Sequence, residues 1–229
     1  MTPLRTRLLA EGVGTAALLA CVVGSGVMAV VLAQGNDAVA LLANAGATAG
    51  ALYVLIAVLG PVSGAHFNPA VSLVMALRGN LAGRDAIAYV VVQGLGALAG
   101  VLLAHAMFDL PPLQPGTRVR TGAAQWLSEG VATFGLLLTI LLGARYRAAA
   151  LPALVAAWIF AAYWFTASTA FANPAVTLAR AFTQTFAGIR VDDVAGFVIA
   201  QFAAALLAMP VARALAGPEP PPGPSAREA

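Results

Sequence analysis

His66-Phe67-Asn68-Pro69-Ala70-Val71-Ser72-Leu73 and Phe171-Ala172-Asn173-Pro174-Ala175-Val176-Thr177-Leu178 are two versions of one sentence. Each follows a long apolar segment and a short loop, and each opens a short apolar run. Asn caps a helix and Pro suits its first position, so each copy predicts the N-terminus of a short helix. The first such helix would cover 68–77, about ten residues; at 1.5 Å per residue that is roughly 15 Å, half the hydrocarbon core of a bilayer. Two half-helices meeting at their N-termini would together span one membrane.

The composition agrees. Of the 229 residues, 61% are hydrophobic and 9% charged, against about 25% charged in soluble domains. The twelve basic residues are all Arg, and the net charge of +3 is spread over loops, which speaks against a nucleic-acid partner. The Arg, Ala and Gly bias fits GC-rich coding and a bacterial source. One cysteine, Cys21, excludes an intrachain disulfide and a zinc cluster. Arg5, Arg7 and the run ending at Cys21 could be read as a secretion signal, but Glu11 interrupts it and the apolar stretch continues to Ala33, so a span is expected.

Six spans are predicted, over 8–33, 38–60, 84–107, 122–144, 151–166 and 192–215. A polar, Pro-rich loop over 109–121 separates two halves, and the residues after 216 form a Pro-rich tail expected to be disordered. Residues 1–216 then make one channel-like domain of two repeats, about 4–107 and 122–216. The halves match beyond the tripeptide: Glu11-Gly12-Val13-Gly14-Thr15 parallels Glu129-Gly130-Val131-Ala132-Thr133, and Gln93 parallels Gln201. Three spans per repeat invert the second copy, which puts the functional site near the midplane where broken helices meet. With the N-terminus inside, eight Arg are cytoplasmic (Arg5, Arg7, Arg78, Arg84, Arg145, Arg147, Arg213, Arg227) and four are outside (Arg118, Arg120, Arg180, Arg190). That orientation, with both termini cytoplasmic, is the expected one.

Two Asn-Pro-Ala copies, paired Glu and six spans closely resemble the aquaporin or major intrinsic protein family, over nearly the whole chain. The resemblance implies an all-α membrane protein of six transmembrane helices plus two re-entrant half-helices. It also implies one pore per subunit, homotetramers in membrane lipid, small neutral solutes as partners and no cofactor. For a bacterial chain it implies the inner membrane. Asn68, Pro69, Ala70, Asn173, Pro174 and Ala175 would then form the pore centre. Each Asn would cap its half-helix and offer an amide donor, backed by the positive end of the helix dipole.

Glu11 and Glu129 are acids within apolar spans and so candidate functional groups. One reading is proton coupling. The other is that each carboxylate braces a re-entrant loop by accepting its backbone N–H groups; repeat symmetry and the resemblance favour bracing. His66 reads as bracing or lining the first loop, and His105 as peripheral. Gly24, Gly26, Gly46, Gly50, Gly96 and Gly100 suit close helix packing.

The chain departs from the family it resembles at the outer constriction. Most members carry Arg directly after the second Asn-Pro-Ala, where this chain has Val176. Spacing from the motifs places Thr48, Ala161 and Ala170 at the other filter positions. All four are small, which predicts a wide, weakly polar constriction passing neutral solutes larger than water. Arg180, one turn beyond Val176, is either an outer-vestibule charge or an interfacial Arg. The run from Asn173 to Arg180 and then Thr183-Gln184-Thr185-Phe186-Ala187-Gly188-Ile189 is similar to bacterial aquaporins associated with arsenic resistance, which implies passage of arsenite, mostly a neutral trihydroxide at pH 7. Through an apolar filter, antimonite and small methylated arsenicals become plausible as well, and water, glycerol, urea and ammonia stay open as solutes. A proton-coupled transporter using Glu11 or Glu129 is the alternative of another class. An enzyme is not expected: no Ser-His-Asp set or HExxH pattern can be assembled.

Overall fold

The computed structural model describes residues 2–217, so the tail beyond Gly217, with Arg227, lies outside the described residues. Its helices are α1 (Leu4–Ala33), α2 (Asp37–Ser63), α3 (Pro69–Leu77), α4 (Gly83–Met107), α5 (Ala123–Tyr146), α6 (Leu151–Phe165), α7 (Pro174–Arg180) and α8 (Val191–Ala216), with a short 3₁₀ turn, Ala148–Ala150, before α6. Six of them, counting α6 together with the 3₁₀ turn before it, are long and apolar enough to cross a membrane. The remaining two, α3 and α7, are the half-helices that the repeated tripeptide predicts.

Local chemistry sets the boundaries. Asn36 caps α2 by accepting from Ala38 N (3.1 Å) and Val39 N (3.2 Å). That helix runs past Gly60 and through Pro61, three residues beyond the expected end, and stops where Gly64 turns left-handed at φ 91°. The half-helices start on Asn68 and Asn173, each with Pro at its first position.

Packing repeats in the two halves. α1 lies against α2 and α4, α5 lies against α6 and α8, and α2 meets α6 between the halves. Each half-helix packs on the last span of both repeats, α3 on α4 and α8, α7 on α8 and α4. The α1–α4 contact depends on two of the glycines singled out above. A Cβ on Gly96 would collide with Gly12 O, and one on Gly100 with Ala16 O. Gly46 and Gly50 meet nothing within the protomer, so close packing inside the subunit does not account for them.

The long connection between the halves is not a free loop. Gly116 N donates to Ala181 O (2.8 Å), Gln114 N to Phe182 O (3.2 Å), and Arg190 N to Arg118 O (2.8 Å). It therefore lies across the segment that follows α7. A Cβ on Gly116 would strike Ile189 O, so only glycine allows this approach.

Candidate functional site

The two loops that lead into the half-helices are held by the two glutamates. Glu11 is fully buried. Its Oε1 accepts from Ser63 Oγ (2.7 Å) and His66 N (2.9 Å), its Oε2 from Phe67 N (2.7 Å) and Gln93 Nε2 (2.9 Å). Glu129, also fully buried, accepts from Phe171 N (2.8 Å), Ala172 N (2.8 Å) and Gln201 Nε2 (2.6 Å). The glutamines then reach the half-helices, Gln93 to Ser72 Oγ (2.9 Å) and Gln201 to Thr177 Oγ1 (2.8 Å). His66 Nδ1 shares Ser72 Oγ at 3.0 Å. Buried backbone donors in a membrane need such acceptors.

The carboxylates also hold strained backbone. Ala65 and Phe67 in the first loop, and Ala170 and Ala172 in the second, are left-handed at φ 50°, 48°, 48° and 47°. A non-glycine residue there costs about 1–2 kcal/mol. The matching positions relative to Asn68 and Asn173 show that the strain belongs to the repeat and not to one loop.

Asn68 Oδ1 caps α3 through Ala70 N (2.9 Å), and Asn173 Oδ1 caps α7 through Ala175 N (3.0 Å) and Val176 N (3.3 Å). Each amide nitrogen crosses to the other repeat: Asn68 Nδ2 donates to Ala172 O, and Asn173 Nδ2 donates to Phe67 O. One N–H on each Asn remains. The two helix N-termini face one another across this join.

Beside it runs a cavity of about 250 Å³. Its lining begins with Met75, Ala144 and Leu151, passes Asn68 and Asn173, and reaches Thr48, Tyr163 and Arg180. Most of the wall is aliphatic, and no Asp or Glu is part of it. Phe67, His66 and Phe171 contribute, as do Ala170 and Val176.

Three of the four filter positions expected from spacing, Thr48, Ala170 and Val176, thus lie on the cavity together. Ala161 does not. It is exposed on the opposite side of α6, while Ile159 and Tyr163 face inward. Tyr163, two residues on, lines the cavity instead, and its hydroxyl lies 3.3 Å from Thr48 Oγ1. Two residues on a helix are about 200° apart, so this offset turns the expected side chain from the pore to the outside. Beside Thr48, Ala170 and Val176 the cavity wall therefore carries a tyrosine where the spacing predicts an alanine.

Arg180 reaches the cavity as well. It is 2% exposed, its Nε donates to Ala187 O, and its guanidinium stands 3.3 Å from the Phe171 ring centroid. That position excludes an interfacial side chain. Arg120 covers the same ring at 4.9 Å and donates to Gly188 O (3.0 Å), Ser168 O (2.9 Å) and Thr169 Oγ1 (3.4 Å). Burial, and then the charges of Arg180 and Arg118, lower its pKa well below the usual arginine value. Sequence reasoning used Arg120 only for orientation and gave Phe171 no separate role; neither residue stands in a spacing that would have marked it.

His105 is not peripheral. It is fully buried, with Nδ1 2.9 Å from Pro112 O and Nε2 2.8 Å from Thr183 Oγ1. A carbonyl can only accept, so Nδ1 carries a proton. The ring ties α4 to the inter-repeat connection and to the segment after α7.

Residues 2–166 match the family model described as major intrinsic protein. The chain is 59% identical over 218 residues to the aquaglyceroporin AqpS of Rhizobium meliloti (strain 1021), covering 95% of this chain and 93% of that protein. A probable aquaporin AqpM of Archaeoglobus fulgidus is 32% identical over 160 residues, covering 60% of this chain and 65% of its own. The X-ray structure of the aquaglyceroporin from Plasmodium falciparum superposes with a TM-score of 0.75 over 93% of this chain and 97% of that one, at 17% identity, which speaks for the fold.

Proposed function

The chain belongs to the major intrinsic protein family, and we propose that it is a passive channel for small neutral solutes with an outer constriction that lacks the usual arginine. The cavity past Asn68 and Asn173 carries this reading, because its wall is largely aliphatic and holds no carboxylate. A coupled transporter would need an acid that exchanges protons with the path. Glu11 and Glu129 instead meet four and three donors from loops and neighbouring spans, which supports bracing.

In this reading the two Asn-Pro-Ala segments form the pore centre, and the paired helix N-termini oppose cations there. Thr48, Tyr163, Ala170 and Val176 form the outer constriction, and Arg180 places charge beside it. The repeats, about 4–107 and 122–216, make one channel domain. The solutes proposed are polyols of glycerol size and arsenite as its neutral trihydroxide, with water able to pass. The name of the Rhizobium relative, an aquaglyceroporin, points the same way for glycerol. The proposed setting is a bacterial inner membrane, both termini cytoplasmic, in a homotetramer. Support for assembly comes from α2, only 11% buried over its most apolar window against 44% for α1. Its outward face needs lipid or a neighbouring copy.

The test is arsenite and glycerol uptake into proteoliposomes with no ion gradient, with water permeability read by light scattering on the same preparation. Downhill arsenite and glycerol flux that does not saturate at low concentration is expected. Water flux alone would reduce the protein to a water channel. Flux that requires a pH gradient would overturn the channel reading.

A further inference from the structure

Arg180 presents a charge that the protein does not neutralise. It is 2% exposed and lines the cavity. Its Nε is bonded to Ala187 O, but its two terminal nitrogens have no acceptor among the described residues and are not sealed in. It takes part in none of the ion pairs seen among the described residues, such as those of Arg7, Arg84 and Arg190. The nearby acids are engaged elsewhere. Glu129 holds Phe171 N, Ala172 N and Gln201, and Asp193 holds the Arg190 side chain and Arg120 N. Arg120, on the same aromatic ring, adds a second buried cation whose bonds end on two neutral carbonyls and a hydroxyl.

A buried guanidinium without an acid carries a large desolvation cost. Here it faces a space that a mobile ligand can occupy. Its fork matches the paired oxygens of a carboxylate or a similar oxyanion. The hydroxyls of Thr48 and Tyr163 and the short side chains of Ala170 and Val176 share the same cavity. They offer further polar contact and room for one small alkyl group. We infer that the Arg180 end of the cavity is a binding site for a small monovalent oxyanion, of carboxylate or sulfonate chemistry. When occupied, it obstructs neutral solutes. The flux part of this inference rests on the channel reading; the binding part does not.

The probe is methanesulfonate, which stays ionised at neutral pH and does not cross lipid as a free acid. Water flux into proteoliposomes is compared in sodium methanesulfonate and in osmotically matched sodium gluconate, an anion too bulky for the site. Wild-type flux should fall to about half when methanesulfonate reaches its Kd, and Arg180→Met should abolish the difference. Val176→Glu is the second variant. It sets a carboxylate four residues before Arg180 on the same helix face, a favourable pairing, and supplies the missing anion from within. Methanesulfonate should raise the thermal midpoint of the detergent-solubilised wild type by mass action and leave Val176→Glu unmoved. Measurable wild-type water flux that is equal in the two salts, or a midpoint shift shared by Val176→Glu, would overturn the site. A wild type that passes no water yet shows the selective midpoint shift supports the site and refutes the channel.

Discussion

Asn68 and Asn173 hold the two repeats together by exchange: Asn68 Nδ2 donates to the carbonyl of Ala172 at 2.8 Å, and Asn173 Nδ2 donates to the carbonyl of Phe67 at 2.7 Å. Each accepting carbonyl belongs to the left-handed residue just before the other asparagine. One amide hydrogen per residue is therefore structural, the side-chain oxygen is engaged in capping, and one hydrogen remains. The asparagines are fixed donors whose direction is set by the opposite repeat.

Asn68→Asp tests this. A carboxylate still caps α3 but puts oxygen against Ala172 O, so a buried acceptor loses its donor. The expected loss is about 1–3 kcal/mol, read as a lower denaturation midpoint in detergent. Water flux per folded channel should also fall. Unchanged stability would mean that the exchange does not tie the repeats.

Glu129→Gln separates bracing from coupling. Three donors converge on the carboxylate, from Phe171 N, Ala172 N and Gln201 Nε2. An amide offers one acceptor atom and sets a donor against the others, at about 1–3 kcal/mol. Lower folded yield is expected, with flux per folded channel that stays insensitive to an imposed pH gradient. Wild-type flux driven by that gradient and lost in the variant would establish coupling.

Much of this architecture was legible in the chain because inverted repetition doubles every signal. The tripeptides, the Glu pair and Gln93 with Gln201 appear twice, and the structure joins them in matching networks. What occurs once was harder to place. Ala161 and Tyr163 lie on opposite sides of one helix, and no repeated motif sets the phase of α6. His105 and Arg120 act through contacts with segments distant in sequence, Thr183 and Gly188. Such contacts leave no local pattern. Arg180 looked ambiguous because its spacing gave its face but not its depth.

The phase of α6 gives a paired prediction. Ala161→Phe adds a ring to an exposed position and should leave glycerol and water flux within about twofold, as surface changes usually do. Tyr163→Ala opens the constriction beside Thr48 and should raise flux of bulkier polyols relative to water, measured by light scattering with solutes of increasing size. The reverse pattern would restore Ala161 as the filter position.

His105→Leu removes both side-chain bonds that join α4 to Pro112 and Thr183. Thr183, which is fully buried, loses its mate at a cost of about 1–3 kcal/mol, whereas the carbonyl of exposed Pro112 can turn to water. The damage should be local to the connection over 109–121 and the segment after α7. Faster amide exchange there, with protection of α1 and α5 retained, is the expected signature. Uniform loss of protection would give the ring a role in the whole bundle.

Val176→Arg addresses selectivity. Val176 is 5% exposed and lines the cavity one turn from Arg180. An arginine there occupies the cavity and puts a like charge four residues from another, which is unfavourable on a helix. Narrowing excludes solutes by size, so arsenite and glycerol uptake should fall more than water permeability. Proton conductance of the same proteoliposomes should change little if Arg180 and the paired half-helix ends already oppose cations. Equal losses of all three solutes, with normal membrane insertion, would show that Val176 does not set the width of the pore.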